Sequence, residues 1–295
     1  MVTVAKGEIQ VGLDRGAREY QITPELVRTY VEGVDDHHAW YTGPSPFGGP
    51  AAPALILHSA VYHFDSWYLP NVWGNLHARQ EWELFAPIMV GDQVTTRSTI
   101  VDRFVKRGRD YVVNEVQLFG PDPDGHGGRL LSRGRTHQSF VMEESTSGVA
   151  VDKEREKSSA RRFEIGQGGF AEEIAPLEKP VTLEMCKRFS LGTNYHNDLE
   201  SAKKMGFPDI VVQGMMSVCF LSELMTRRFG EGWYAGGRMD VRLVNVLWGG
   251  DGVVVCRGVV REFTAEGARR RAHCEIWAEK RDGTKVTLGT ASAVV

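Results

Sequence analysis

The sequence has little charge of either sign in excess. Its 295 residues carry 35 Lys and Arg against 38 Asp and Glu, a net charge of −3, so it has no broad field to gather nucleic acid or an anionic membrane surface. No apolar run approaches the roughly 18–20 residues that a bilayer span needs. The opening stretch MVTVAKGEIQVGLDRGAREYQ has no apolar segment of the secretory kind. The expectation is a cytoplasmic protein with neither a nucleic-acid nor a membrane partner. Cysteine is also scarce. Cys186, Cys219, Cys256 and Cys274 form no CxxC pair, and no Cys/His cluster has the spacing of a metal site. They read as buried, reduced thiols, and no metal is expected. Glycine-rich phosphate loops, GxSxG elbows and HExxH motifs are missing too.

What is present is a divergent internal repeat. Thr23 and Thr182, Gly33 and Gly192, His37 and His196, Arg79 and Arg238, Gly91-Asp92 and Gly250-Asp251, and Phe104 and Phe263 are all separated by the same 159 positions. PALILHSAVY resembles DIVVQGMMSV at a slightly shorter offset, as a change in loop length would produce. So many ordered pairs indicate a duplication. The expected organisation is a first domain over 1–145, a linker over 146–174 with the polar, Ser-rich composition of such segments, and a second domain over 175–295.

Each half reads in the same order: a short strand, a capped helix, a polar loop, a more apolar helix, then a run of strands. Thr23 and Thr182 are good N-caps, and Pro24 follows the first of them. In the second half the apolar helix runs from about Gln213 to Arg228 and is apolar nearly all round, as expected of a helix enclosed by a sheet. RRRAHCEIWAEKR alternates as a strand, with Ala272, Cys274, Ile276 and Ala278 on one face. Together these elements make an α+β protein.

The stretch FSLGTNYHNDLESAKKMGFPDIVVQGMM, Phe189 to Met216, is the most informative in the chain. His196, Asp198, Ala202, Gly206-Phe207 and Gln213-Gly214-Met215 fall in register with the active-site segment of MaoC-like dehydratases and (R)-specific enoyl-CoA hydratases, which this sequence resembles. The strand sequences of both halves resemble the same family. The resemblance implies a tandem, or double, hot-dog fold, each half an antiparallel sheet wrapped around a central helix. It implies hydration of a 2-enoyl-CoA or dehydration of a 3-hydroxyacyl thioester, with acyl-CoA or an acyl carrier as substrate, no cofactor, and a homodimer of double hot-dog chains.

The family's residues carry over as follows. His196 would be general base and acid, being able to do either near neutral pH. The Gly214 N–H would stabilise the thioester oxyanion. Gln213, Met215, Tyr195 and Phe207 would contact substrate. The family's acid five positions before the histidine is here Leu191, and its Asn-Pro pair is Thr193-Asn194. Asn194, Asp198, or Asp35 and Asp36 of the first copy are therefore the candidates for holding the reacting water.

Other readings stand beside these. His37 and His38 mark either a second site or a degenerate copy that shapes an acyl pocket. Trp40, Tyr41, Phe47, Tyr62, Phe64, Trp67, Tyr68 and Trp73 suit a bulky acyl group or an ordinary core. The basic runs Lys106-Arg107-Gly108-Arg109 and Arg269-Arg270-Arg271 suit CoA phosphates or solvated turns. A thioesterase and a non-catalytic acyl-binding subunit are the competing functions.

Overall fold

The computed structural model describes residues 9–64, 75–106, 109–121, 128–141 and 164–295. The first half contributes β1 (Asp14–Gln21), α1 (Pro24–Val34), β2 (Leu76–Leu84), β3 (Gln93–Lys106), β4 (Arg109–Phe119) and β5 (Leu130–Val141). The second contributes β6 (Glu172–Pro180), α2 (Leu183–Phe189), α3 (Leu199–Lys204), α4 (Gly214–Phe229), α5 (Glu231–Tyr234), β7 (Arg238–Leu243), β8 (Val253–Glu266), β9 (Arg269–Lys280) and β10 (Lys285–Val294). All ten strands form one antiparallel sheet in the order β1-β3-β4-β5-β2-β7-β10-β9-β8-β6. The five strands of each half have the same internal order, and the halves meet edge to edge at β2 and β7.

The repeat is visible in local chemistry as well as in strand order. Thr23 accepts the Leu26 N–H at 3.1 Å, and Thr182 accepts the Met185 N–H at 3.2 Å, each satisfying one donor that a helix start leaves without an intrahelical partner. Asp92 takes the Met89 N–H at 2.8 Å, and Asp251 takes the Trp248 N–H at 2.7 Å. The two capped helices pack together: a Cβ on Gly33 would stand 3.4 Å from that of Phe189.

The core of the second half forms as its pattern requires. Ala272, Cys274, Ile276 and Ala278 of β9 are buried, as are Met215, Met216, Val218, Phe220, Leu221, Leu224 and Met225 of α4. All four cysteines are buried and free, as expected. At the seam, Gln80 stands opposite Val241 and Glu83 opposite Arg238. Arg79 grips Asp240 through two parallel bonds of 2.6 and 2.5 Å, the bidentate geometry that suits guanidinium and carboxylate.

One expectation is corrected. Among the described residues the first half has no α-helix where the repeat calls for a central one. Residues 54–62 run in successive tight turns, with Ile56 N–H bonded to Pro53, His58 to Leu55, Ala60 to Leu57 and Tyr62 to Ser59. These are the three-residue spacings of 3-10 structure, and the His58 Nδ1 lies 3.2 Å from the Leu55 carbonyl, so the side chain competes for a carbonyl that an α-helix would use. β6 opens at Glu172, in the last residues of the stretch read as linker. Upstream of it, Gly166 donates to Glu275 at 2.8 Å, and Arg261 donates to the Gly169 and Gln167 carbonyls at 2.8 and 2.7 Å, so this part of the expected linker is docked on the second half. Residues 142–163, Arg107, Gly108, Trp67, Tyr68 and Trp73 lie outside the described residues. No helix among the described residues is long and apolar enough to cross a membrane.

Candidate active site

The loop between α2 and α4 is built around Asn197, which the sequence reading passed over. Its Oδ1 accepts the Asn194 N–H at 2.9 Å, and its Nδ2 donates to the Gly192 carbonyl at 2.6 Å and, at 3.5 Å, to that of Ser190. Asn194 closes the same loop: Oδ1 accepts the His196 N–H at 2.8 Å and Nδ2 donates to the Leu191 carbonyl at 3.0 Å. Both ends of the Asn194 amide are thus engaged in the loop itself. Leu191 is well exposed, at 65%. Asp198 is the N-cap of α3, accepting the Ser201 N–H at 2.8 Å. Its bonds to Ser201 hold its pKa below the ordinary carboxylate value, so it acts as an ionised helix cap.

This loop fixes His196. Nδ1 donates to the Val211 carbonyl at 2.6 Å, and the ring lies 4.0 Å, centroid to centroid, from that of Tyr195. Burial pushes its pKa down to about 4 against the opposing pull of the Val211 bond. The imidazole is neutral at pH 7, and with Nδ1 carrying the proton the lone pair belongs to Nε2. Tyr195 stacks on Phe207, which in turn faces Trp248, so the two predicted aromatics form one wall beside the histidine. Burial raises the Tyr195 pKa.

Three residues beyond Val211, Gly214 opens α4. The first N–H groups of a helix have no partner within it and carry its positive dipole end. Gln213 is the N-cap, but its side chain does not cap the helix; its Oε1 instead accepts from Ser190 Oγ at 3.4 Å. A Cβ on Gly214 would collide with the Leu243 side chain and stand 3.8 Å from Nδ1 of His77, on β2 of the first half. Glycine is required here by close approach, since its φ is not positive. Met215, expected at the substrate surface, is wholly buried in the core.

The first-copy candidates lie elsewhere. Asp36 is buried with its Oδ2 accepting from Tyr41 at 2.6 Å. Burial, with the Glu223 carboxylate, pushes its pKa up to about 7. Glu223 is nine residues along α4 from Gly214, roughly 13 Å at 1.5 Å per residue, so Asp36 is not grouped with His196. Asp35 is the left-handed C-cap of α1, and the exposed His37 meets only its carboxylate, at 3.1 Å. His38 takes the Trp40 N–H at 3.3 Å. Trp40 and Phe47 pack edge-on and against Tyr234, and Tyr41 and Phe64 are core. Arg271 is buried in bonds to Glu266, Gly236 and Ser292, and Arg109 binds Ser139. No group of His, Cys, Asp and Glu among the described residues could hold a metal ion.

Sheet order, enclosed α4 and short helices define a hot-dog protein. Residues 9–117, most of the first half, match the family model of the FAS1-like dehydratase domain region. Solved structures agree in fold. A MaoC-like dehydratase is 16% identical, with 98% of each chain covered and a TM-score of 0.71. The MaoC-like dehydratase of Phytophthora capsici is 16% identical over 99% of this chain and 98% of its own, with a TM-score of 0.69. A conserved hypothetical protein of Mycobacterium tuberculosis, described as having a double hot-dog fold, is 12% identical over 98% of this chain and 97% of its own, with a TM-score of 0.60. No curated protein matches the chain.

Proposed function

We propose that this chain, two hot-dog units fused in tandem, reversibly hydrates a 2-enoyl thioester, the reverse being dehydration of a 3-hydroxyacyl thioester. The observation that carries the proposal is His196: a neutral imidazole with its tautomer fixed by Val211, three residues before a helix start that Gly214 opens and the Gln213 side chain does not cap. In hydration, water attacks C3 and one of its protons passes to His196 Nε2. The C2=C3 electrons move toward the thioester, and the charge gathering on its oxygen meets the Gly214 N–H. The proton on Nε2 then goes to C2, which restores the ring. One nitrogen accepts and then donates, so no net proton is exchanged with solvent. General acid–base catalysis of this kind contributes roughly 10²–10⁴ in rate, and removing one oxyanion donor costs roughly 10²–10³.

The Tyr195–Phe207 wall, with Gln213 before Gly214, is the proposed acyl-contacting surface; Met215, wholly buried, is left out of it. The proposal extends to a CoA or carrier-protein thioester as substrate, a cytoplasmic location and a homodimeric assembly, the last checked by sedimentation. The test of the reaction is a panel of short, branched and aromatic enoyl-CoA thioesters, with enoyl absorbance and free thiol followed together, for wild type and His196→Ala. Loss of enoyl signal without thiol release, abolished by the substitution, is the expected result. Thiol release would make the chain a thioesterase, and acyl-CoA binding without turnover would make it a binding subunit.

A further inference from the structure

We infer that His77, from the first half, is a second catalytic residue of this site and holds the reacting water through Nδ1; the inference rests on the hydratase reading above. Three contacts carry it. Gln80 Nε2 donates to the Glu81 carbonyl at 3.1 Å, so the amide presents Oε1 to its other neighbours. Thr136 donates to that Oε1 at 2.9 Å, and His77 Nε2 lies 3.0 Å from it. An acceptor oxygen facing Nε2 requires Nε2 to carry the hydrogen. Burial pushes the His77 pKa down to about 4, against the opposing bonds to Gln80 and the Arg79 backbone. A neutral ring protonated at Nε2 has its lone pair on Nδ1, the atom 3.8 Å from where a Gly214 Cβ would stand.

His77 of the first half thus stands beside the start of α4, His196 of the second is bonded at Val211, three residues before that start, and on each ring one nitrogen faces a buried acceptor. A water that adds to C3 has two hydrogens to place. His196 Nε2 takes one. The polar groups of the His196 loop do not take the other, because Asn194 is engaged at both ends and Asp198 caps α3. His77 Nδ1 accepts it from across the seam and fixes the direction of attack. In the balanced step the first hydrogen passes through His196 to C2, the second stays on the new C3 hydroxyl while bonded to His77, and His77 gains and loses nothing.

The opposing account is that His77 merely braces the seam through Gln80. Asparagine and glutamine separate the two accounts, because the Asn amide falls at the Nδ1 position and the Gln amide at the Nε2 position. With an enoyl-CoA that the wild type hydrates, His77→Leu should lower kcat about 100-fold and leave KM within about threefold, the effect of losing one acid–base contact. His77→Asn should recover at least tenfold of that loss, and His77→Gln, which keeps the Gln80 contact, should not. Should His77→Leu fail to fold, the Asn–Gln pair decides. Equal activities, the reverse order, or a Leu variant within twofold of wild type while His196→Ala is dead would overturn the inference and leave the hydratase reading standing. A wild type that hydrates no enoyl thioester would overturn both.

Discussion

Lys179→Met should destabilise the protein more than any change of similar size on its surface. Lys179 lies on β6 and is 1% exposed, and Glu223 of α4 is 2% exposed. The ammonium donates to Glu223 Oε2 at 2.7 Å and to the Asp35 carbonyl at 2.5 Å, and stands 5.6 Å from the Phe220 ring centroid. It ties the end of α1 in the first half to β6 and α4 in the second. Methionine fills much of the same volume but leaves Glu223 short of a cation, the Asp35 carbonyl without this donor, and the raised Asp36 without one of the two cations that lower it.

Breaking a buried pair by removing one partner costs about 3–5 kcal/mol. Arg227 keeps a bond of 2.9 Å to Glu223 Oε1, which favours the lower end, about 3 kcal/mol, or roughly 150-fold in the folding equilibrium. The assay is urea unfolding followed by tryptophan fluorescence, with free energies taken from midpoints at matched slopes; fully buried Trp233 of α5, bonded to Ser222 of α4, is a suitable reporter. Lys179→Met/Glu223→Leu should recover at least about 2 kcal/mol, because replacing a whole buried pair by apolar groups is often neutral or better. A single variant within about 1 kcal/mol of wild type, or a double variant no better than the single, would refute the reasoning.

Two further outcomes follow from the same kind of accounting. Asp36 has a folded pKa raised to about 7 above its unfolded 3.8, so it penalises the folded state increasingly between pH 4 and 7 and fully above 7. Asp36→Asn should therefore gain on the wild type by about 1–3 kcal/mol in moving from pH 4.5 to pH 8, an order-of-magnitude figure, and a pH-independent difference would contradict it. Asn197→Ala removes the bonds that shape the His196 loop. It should cost about 1–2 kcal/mol in thermal unfolding, yet lower kcat at least tenfold; an unchanged kcat would separate His196 from this loop.

The fold was legible where two signals coincided. Thr23, Thr182, Asp92 and Asp251 carry the repeat in sequence and perform the same capping in each copy. The alternation around Cys274 predicts its strand because one face is buried. The stretch 54–62 misled because its resemblance to the start of α4 records common descent, and a side-chain bond at His58 is local chemistry that resemblance does not carry. At the candidate site, His196, Gly214, Tyr195 and Phe207 were named from the resemblance to the family's motif, and the structure sets Tyr195 against both His196 and Phe207. Asn197 looks like one more loop residue until its three bonds are seen. His77 had no signal at all, since the helix start it stands beside, at Gly214, is 137 positions away in sequence.

That seam accounts for how a duplicated chain comes to have one candidate site. Both copies keep the strand order and the capped helix, and both keep a histidine at the repeat offset. Only the second copy adds, among the described residues, an α-helix that starts three residues beyond the backbone carbonyl its histidine binds. In the first copy His37 is exposed and paired with its own neighbour Asp35, and Asp36 is turned inward to Tyr41. What the first half contributes comes instead from β2: through its register with β7, Arg79 locks onto Asp240, and two residues earlier His77 meets the start of α4. Edge-to-edge pairing fixes residues to their partners far more tightly than packing of faces does, because a one-residue slip turns each side chain to the other side of the sheet. A site divided between two copies is therefore held in register by the strand pair that joins them, and a slip at β2 and β7 would remove His77 while leaving His196 in place.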